Sequence, residues 1–407
     1  MNHKPTLWRV FSAAPHRMMF LAGAVQGVLA LLWWLSDLLG RYGGFYAPLV
    51  WPAPSPWVHG FLMIYGFFPF FIFGFLMTTF PNWMSGQQVS PRRYVSAFAL
   101  LVGGVALFYI GLFTGRALLA LGVLLMLAGW TVALYALLAV LFTAVHPDKL
   151  HPTIAAIALG MGWLGLLAYG LWLVGLGDGF AAFALICGVW FFLTPIFFTV
   201  SHRMIPFFSS RVLPNYKIVR PKFALWTMLV CSLGHGCLEI AGMGRWLWLA
   251  DIPFALTALH LTWRWQFVRS FKTRILAVLH IGFAWLGVAL ALYAGQSLAL
   301  LAGWTAPGLA ALHALTIGFF ASMMLAMATR VTLGHSGSEL VADGATWALF
   351  LGFQGATVAR IADDLPLPIP HGHLYLFAAV VWLACFIFWF AKYAPHYWRP
   401  RADGQPG

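Results

Sequence analysis

The sequence predicts an all-α, polytopic integral membrane helix bundle of about twelve transmembrane helices. Of its 407 residues, 62% are hydrophobic and only 8% are charged. Apolar runs of about 20 residues, long enough to cross a hydrocarbon core of roughly 30 Å, recur along the whole chain. The 23 Lys and Arg outnumber the 10 Asp and Glu. So low a total charge, together with 36 Phe and 21 Trp, nevertheless excludes a nucleic-acid-binding protein and a disordered chain.

We interpret residues 1–407 as a single membrane domain without a soluble domain. No internal repeat is evident, and the segment from Ile205 to Lys222 is predicted to be a substantial loop. The apolar windows between Pro, Gly and charged residues predict twelve spans, at 17–39, 57–79, 93–113, 117–144, 152–175, 180–204, 222–243, 248–266, 273–294, 308–330, 342–361 and 371–393.

Basic residues fall unequally on the two sides of these spans. With a cytoplasmic N-terminus, 19 of the 23 Lys and Arg lie on the cytoplasmic side, among them Lys4, Arg9 and Arg17. The other side receives Arg41, Arg116, Arg245 and Arg360. The positive-inside rule therefore predicts that both termini are cytoplasmic and that the number of spans is even.

Histidine is the unusual polar residue of this chain, with 14 copies against 10 acidic residues. Lipid offers no hydrogen-bond partner, so imidazoles at membrane depth bond to one another, bind metal or line a proton path. Neutral imidazole suits haem iron and copper. The spans place His235 near mid-membrane and His202, His260 and His280 in the inner third, and we predict these four as metal ligands.

The outer third of the predicted membrane holds a second histidine group. His59 opens span 2, His313 lies in span 10, and His371 and His373 open span 12. We predict all four to bind a cofactor, with His59, His313 and His373 as metal ligands. In a regular helix His371 and His373 project about 200° apart, so they would face different centres. The alternative is that they form an interfacial helix start with solvated rings.

Glu239 is the one acidic residue that the prediction places well inside a span. It follows His235 by four positions, which puts both on one helix face. We predict a catalytic role for Glu239, such as carrying protons to a buried centre or orienting a ligating histidine. The alternative is a structural pair with His235.

Span 10 carries further candidate ligands below His313. Met323 and Met327 share a helix face, and thioether suits Cu(I), although methionine is also common packing material. Arg330, at the inner end of this span, is predicted to pair with a haem propionate. Interfacial snorkelling of Arg330 is the alternative.

Several stretches of the chain resemble the NnrS family of bacterial inner-membrane proteins. They are HALTIGFFASMMLAMATRVTLGHSG from His313, HGFLMIYGFFPFFIFGFLMTTFPNW from His59, HRMIPFF from His202 and LHIGFAW around His280. Ser336 is a mild departure, because the family pattern has Thr there. The resemblance carries over to His59, Met63, His202, Arg203, His280, His313, Arg330 and His335.

The resemblance implies a multi-pass protein of the bacterial inner membrane that contains haem b and copper. It also implies a part in denitrification, nitric oxide metabolism and tolerance of nitrosative stress. Nitric oxide is small, apolar and membrane-soluble, so a metal centre inside an apolar bundle is accessible to it. The chain has no soluble domain or dinucleotide fingerprint to supply electrons, so any redox turnover needs an external electron donor.

Three functions follow from these patterns. The first is a haem-copper protein that binds nitric oxide and either reduces or otherwise detoxifies it, as an oxidoreductase or as a binding protein. The second is a transporter of copper, haem or a nitrosyl-metal complex, in which His and Met act as a transient relay. The third is a structural scaffold, which would tolerate substitution of its histidines.

Overall fold

A computed structural model describes residues 6–305, 308–365 and 367–403. The predicted cytoplasmic Lys4 lies outside these ranges. Within them the chain is helical, and no residue belongs to a β-strand. This confirms the all-α prediction.

Twelve long helices follow one another along the chain, preceded by a short helix at Leu7–Phe11. They are α1 Pro15–Arg41, α2 Ser55–Met84, α3 Pro91–Thr114, α4 Arg116–Thr143, α5 Leu150–Leu173, α6 Asp178–Val212, α7 Lys222–Ile240, α8 Trp248–Arg264, α9 Arg274–Leu301, α10 Ala310–Ser336, α11 Gly344–Ala362 and α12 His373–Trp398. In the described part of the chain, ten of these are long and apolar enough to cross a membrane, all except α8 and α11.

Each helix begins within about two residues of its predicted start, but several continue beyond their predicted ends. The prediction that a loop begins at Ile205 is wrong, because α6 continues through Pro206 to Val212, and the loop occupies only residues 213–221. An internal proline removes only one backbone donor, and packed membrane helices tolerate that loss. Likewise α10 reaches Ser336 and therefore includes His335.

The outer surface of the bundle is apolar, as expected where helices face lipid. Phe113 on α3, Phe142 on α4 and Phe388 on α12 leave 76%, 77% and 65% of their surface exposed. In water such rings would favour burial. Helices α3 and α4 pack closely through Gly104 and Gly122, where an added Cβ on either would lie 2.7 Å from the other's carbonyl oxygen.

Three helices form the centre of the bundle: α2, α6 and α10. Each contains a π-helical segment, at Leu62–Phe67, Gly188–Leu193 and Ala314–Ala321. Phe68, Phe197 and Phe320, one from each helix, meet with ring centroids 5.0 to 6.0 Å apart. The π-helical segment thus recurs at every fourth helix, a periodicity that the sequence does not reveal.

The first and last described helices meet at one end of the bundle, which we call the terminal end. There the Arg17 guanidinium donates to the carbonyl oxygen of Arg399, 2.9 Å away. At the opposite end, which we call the far end, the rings of Tyr42 and His371 lie 5.9 Å apart. Helices α1 and α12 therefore run in opposite directions between the two ends.

Candidate cofactor cavity

A cavity of about 680 Å³ opens among the central helices toward the far end of the bundle. Most of its wall is apolar, from side chains such as Leu31, Met63, Phe68 and Trp382. Such a volume and lining are typical of a site for a large organic ligand. The charged, amide, hydroxyl and imidazole side chains of the wall are Arg41, Tyr42, His59, Glu239, Tyr293, Gln296, His313, Thr316, Arg360 and Tyr375.

His59 reaches this cavity from the first turns of α2. The helix begins at Ser55 with Pro56 in its first turn, where the fixed φ of proline favours a helix start. The imidazole stacks on Trp34 of α1 at 4.2 Å between centroids and 14° between planes. Among the described residues, neither ring nitrogen of His59 has a hydrogen-bond partner, so the ring is oriented but both nitrogens are available.

His313 enters the same cavity from the start of α10, one residue before its π-helical segment. Its Nδ1 lies 3.0 Å from the carbonyl oxygen of Leu309, the geometry of an Nδ1–H donor. That hydrogen bond fixes the tautomer and leaves Nε2 with a free lone pair, as in many metal-binding histidines.

Two arginines that sequence reasoning missed also line the cavity. Arg41, at the end of α1, forms an ion pair with the buried Asp37 and lies over the Trp34 ring. Arg360, in the last turn of α11, bonds to Asp364 at 2.9 Å and lies 3.6 Å from the Tyr375 centroid. The signal was present, because both belong to the four basic residues predicted on the sparsely charged face.

Arg360 and His313 are connected through the backbone of one residue, Leu309. Asp364 accepts from Arg360 and also from the backbone N–H of Leu309, 3.0 Å away. The carbonyl of Leu309 in turn accepts from His313. The guanidinium, the carboxylate and the imidazole therefore hold one another in position at the cavity wall.

His371 and His373, predicted to bind a cofactor, do not belong to the cavity wall. His371 is paired with Asp363 at 2.9 Å, and Nδ1 of His373 lies 3.1 Å from the carbonyl of Pro370. In the described ranges, Asp363, Asp364 and His371 are the one group of three residues with metal-ligand spacing. The Asp363 carboxylate already accepts from the backbone N–H groups of Gly372 and Leu374, which accounts for its position without a metal.

Glu239 lies elsewhere than the sequence predicts. It occupies the last turn of α7, with 41% of its side chain exposed, and it lines the cavity. The prediction that it is the one deeply buried acid is wrong, since Asp37 and Asp251 are each at most 1% exposed. Nδ1 of the predicted ligand His235 is 2.6 Å from Asp251, and its Nε2 is 3.6 Å from Glu239.

The predicted inner histidines lie near the terminal end, away from the cavity. His202 Nδ1 is 3.0 Å from Nε2 of the buried His151, and its own Nε2 is 3.2 Å from the carbonyl of Pro221. His280 is hydrogen-bonded to Ser209 at 3.0 Å. His260 is exposed on the surface of α8. The structure thus brings His202 together with His151, which the sequence did not single out, and leaves His260 apart.

Arg330, Met323 and Met327 also lie apart from the cavity. The Arg330 guanidinium is 3.9 Å from the centroid of Phe208, near the terminal end. The two methionines line a separate apolar pocket of about 40 Å³ that also contacts Phe197. The position of the cavity therefore does not support the prediction that Arg330 pairs with a haem propionate. Arg41 and Arg360, in contrast, line the cavity wall.

The match to a family model covers nearly the whole chain. The model described as NnrS protein matches residues 10–401. Comparison with curated proteins gives no match. The matched range contains every helix that builds the cavity, and the chain therefore belongs to the NnrS family, which is linked to nitric oxide metabolism.

Proposed function

We propose that the protein binds haem b in this cavity and uses it to bind nitric oxide, detoxifying or reducing it. The observation that carries the proposal is the meeting of His59 and His313, from α2 and α10, at one cavity of about 680 Å³. Bound haem would supply a redox-active iron that takes imidazole nitrogen as its ligand and can bind a diatomic gas.

The residues of the cavity fit such a group. His59 and His313 each present an available ring nitrogen, and Leu309 fixes the tautomer of His313. Haem b also carries two carboxylates. Arg41 and Arg360 can receive them, because a guanidinium has five N–H donors and each is paired with only one aspartate.

The remaining side chains of the cavity have roles that follow from their chemistry. The apolar wall excludes water and favours an apolar gas, while Trp34 and Leu309 keep the two imidazoles in place. Glu239 places a carboxyl group at the wall that can hold or release a proton. Reduction of nitric oxide consumes protons as well as electrons, and the electrons would come from an external donor.

Copper remains a prediction for this chain. His151 and His202 lie side by side, with their facing ring nitrogens 3.0 Å apart. Imidazole is a suitable copper ligand. Metal analysis of the purified protein and of His202→Ala tests this prediction, which expects copper in the former and less in the latter.

We further propose that all twelve helices cross the bacterial inner membrane, with both termini in the cytoplasm. Ten of the described helices have the length and hydropathy for this. The two others, α8 and α11, carry Asp251 and Arg360 and pack between membrane-length neighbours. The distribution of basic residues, with 19 on the predicted cytoplasmic side and four on the other side, supports this orientation of the termini.

Haem retention in histidine variants tests the proposal directly. His59→Ala and His313→Ala should each lose most of the haem that the wild-type protein retains through purification, because each removes an imidazole of the cavity that would hold the group. His146→Ala, which changes a loop imidazole outside the cavity, is the matched control. Full haem content in both cavity variants would exclude this cavity as the haem-binding site.

A further inference from the structure

The small pocket beside Met323 and Met327 lies where the central helices α2, α6 and α10 meet α1. Its volume is about 40 Å³. In the described structure every side chain that lines it is a Phe, Leu, Ile, Val, Met or Ala, and each leaves 7% or less of its surface exposed. A space of this kind has no polar groups to hold water, so it stays dry and takes up apolar guests.

The pocket adjoins the candidate cofactor cavity along the central helices. A cavity residue precedes a pocket residue by less than one helical turn on α2, where Phe68 precedes Phe71, and on α10, where Ala321 precedes Met323. The Phe68 ring on the cavity side and the Phe197 ring on the pocket side have centroids 5.6 Å apart. One aromatic contact therefore joins the two walls.

Methionine side chains make the wall of this pocket adaptable. Met323, Met324 and Met327 are unbranched, and side chains of this kind fill irregular gaps in a core. Close-packed protein interiors contain few voids larger than a water molecule. A packing defect therefore poorly explains a space that these side chains line and leave open, whereas small movements of the thioethers would admit a guest.

The chemistry of the lining selects a guest by its polarity and its size. No N–H group, O–H group or oxygen belongs to a described lining side chain, so an anion or a water molecule would lose its hydration without replacement. The volume is also far below the roughly 300–1,000 Å³ of sites for organic ligands. A small uncharged gas meets both limits, and it can dissolve in the bilayer that the central helices are long and apolar enough to cross.

We propose that this pocket is a binding site for a small uncharged gas, and that nitric oxide occupies it beside the haem cavity. Rotation of the Phe68 and Phe197 rings lets the gas pass between the two spaces, and no covalent bond forms or breaks in this step. The choice of nitric oxide rests on the proposed function, because a haem in the neighbouring cavity is what gives that gas a destination.

The test is the binding of xenon to the purified protein, followed by NMR of isotope-labelled methionine methyl groups. Xenon is an uncharged apolar gas, and its binding here does not depend on haem. We expect the methyl signals of Met323 and Met327 to shift with xenon pressure until they saturate. The signal of Met126, which packs against Gly104 between α3 and α4, should not shift. The absence of a saturable shift at Met323 and Met327 overturns the proposal.

Variants that fill the pocket provide the matched comparison. Ala328→Leu places a larger side chain in the pocket and should lose most of the xenon shift. Val200→Leu adds one methylene at another lining position and carries the test should Ala328→Leu not fold. Ala106→Leu makes the same change on the exposed face of α3 and should match the wild type. A full xenon shift in a folded, pocket-filling variant overturns the assignment.

A second measurement separates this inference from the proposed function. When a light pulse releases nitric oxide from the haem-loaded protein, part of the gas should rebind from the pocket. Both xenon and Ala328→Leu should remove that phase. An unchanged time course of rebinding overturns the pocket as a nitric oxide site and leaves the haem proposal standing.

Should the protein hold no haem, the proposed function fails and the pocket is tested with dissolved nitric oxide alone. Nitric oxide is paramagnetic and broadens the NMR signals of nearby methyl groups. Broadening at Met323 and Met327 beyond that at Met126 supports the pocket as its binding site, and equal broadening at all three overturns it.

Discussion

A substitution at Arg360 tests cofactor binding separately from folding. Its guanidinium lies at the cavity wall, bonded to Asp364 and stacked on Tyr375. Arg360→Gln keeps the length for one hydrogen bond but removes the charge. A charge-assisted hydrogen bond is worth about 1.5–3 kcal/mol, so we predict haem affinity to fall by about tenfold or more.

The measurement for this prediction is haem dissociation to an apoprotein acceptor, compared with the wild type. Arg245→Gln is the matched control, because Arg245 is exposed and belongs to the same sparsely basic face. Equal haem affinity in Arg360→Gln and the wild type would exclude a carboxylate contact at this position.

At the residue scale, the sequence predicted which side chains are candidate ligands better than it predicted where those side chains lie. His59 and His313 could be singled out because an imidazole at membrane depth needs a partner. Arg41 and Arg360 were treated only as evidence for topology, although their place among the four basic residues of the sparsely basic face could have marked them as candidates. Asp251 escaped notice because its partner, His235, lies on a different helix.

The start of α11 offers a test at the scale of one element. Asp343 caps the helix by accepting from the backbone N–H of Thr346, 2.9 Å away, and it also binds Lys392 of α12 at 2.5 Å. We predict that Asp343→Ala costs about 1 kcal/mol, the usual value for a lost cap. Thermal unfolding in detergent measures it, with Asp343→Asn, which keeps the cap, as the comparison.

The same residue gives a pH dependence with a definite sign. The Lys392 ammonium, together with the bonds from Thr346, lowers the pKa of the Asp343 carboxyl to about 2. Its unfolded value is about 3.9, so the ion pair stabilises fully above pH 4 to 5 and loses its effect as pH falls toward 2. For so exposed a pair we expect about 0.2–1 kcal/mol.

The measurement is the difference in unfolding temperature between wild type and Asp343→Asn across pH. We predict a difference near pH 7 that shrinks on acidification. A difference that grows toward acid pH would contradict this assignment.

The close contact between helices α3 and α4 can also be tested at the scale of single elements. An added Cβ on Gly104 would lie 2.7 Å from the carbonyl oxygen of Gly122, so the two backbones must separate. We predict that Gly104→Ala destabilises the protein by about 1–3 kcal/mol. Gly160→Ala on α5 is the control, because nothing lies within 4 Å of its added methyl group, and the unfolding temperature of each variant is the measurement.

Helix positions followed closely from the sequence because apolar runs and membrane thickness constrain them together. The helix ends were harder to predict. Pro206 suggested an end that α6 passes, since a packed membrane helix tolerates the missing donor. No pattern of residue types in the sequence distinguishes the π-helical segments of α2, α6 and α10 from α-helix.

For the whole molecule, the meeting of three central helices explains why one cavity gathers residues from distant parts of the chain. The central helices α2, α6 and α10 meet at Phe68, Phe197 and Phe320, and the cavity opens on the far-end side of this contact. The sequence could supply the number and direction of the helices. It could not predict which helices meet, because that depends on side-chain packing between helices that are distant in the chain.

The proposed orientation can be tested on intact cells with a membrane-impermeant thiol reagent. Cysteines introduced singly at Ser12 and Ser338, in a variant whose four native cysteines are replaced, should be unreactive from the outside. A cysteine at Ser55 should react, because it lies at the far end. Labelling at Ser12 from the outside would reverse the orientation.

The central claim is that the cavity of His59 and His313 holds a haem that meets nitric oxide. The most direct measurement is the optical spectrum of the purified wild-type protein, expressed with haem supplied, recorded in the reduced state before and after nitric oxide is added. We predict a Soret band of about one haem per chain that shifts when the gas binds. A colourless protein, or a haem spectrum that nitric oxide leaves unchanged, would contradict the claim.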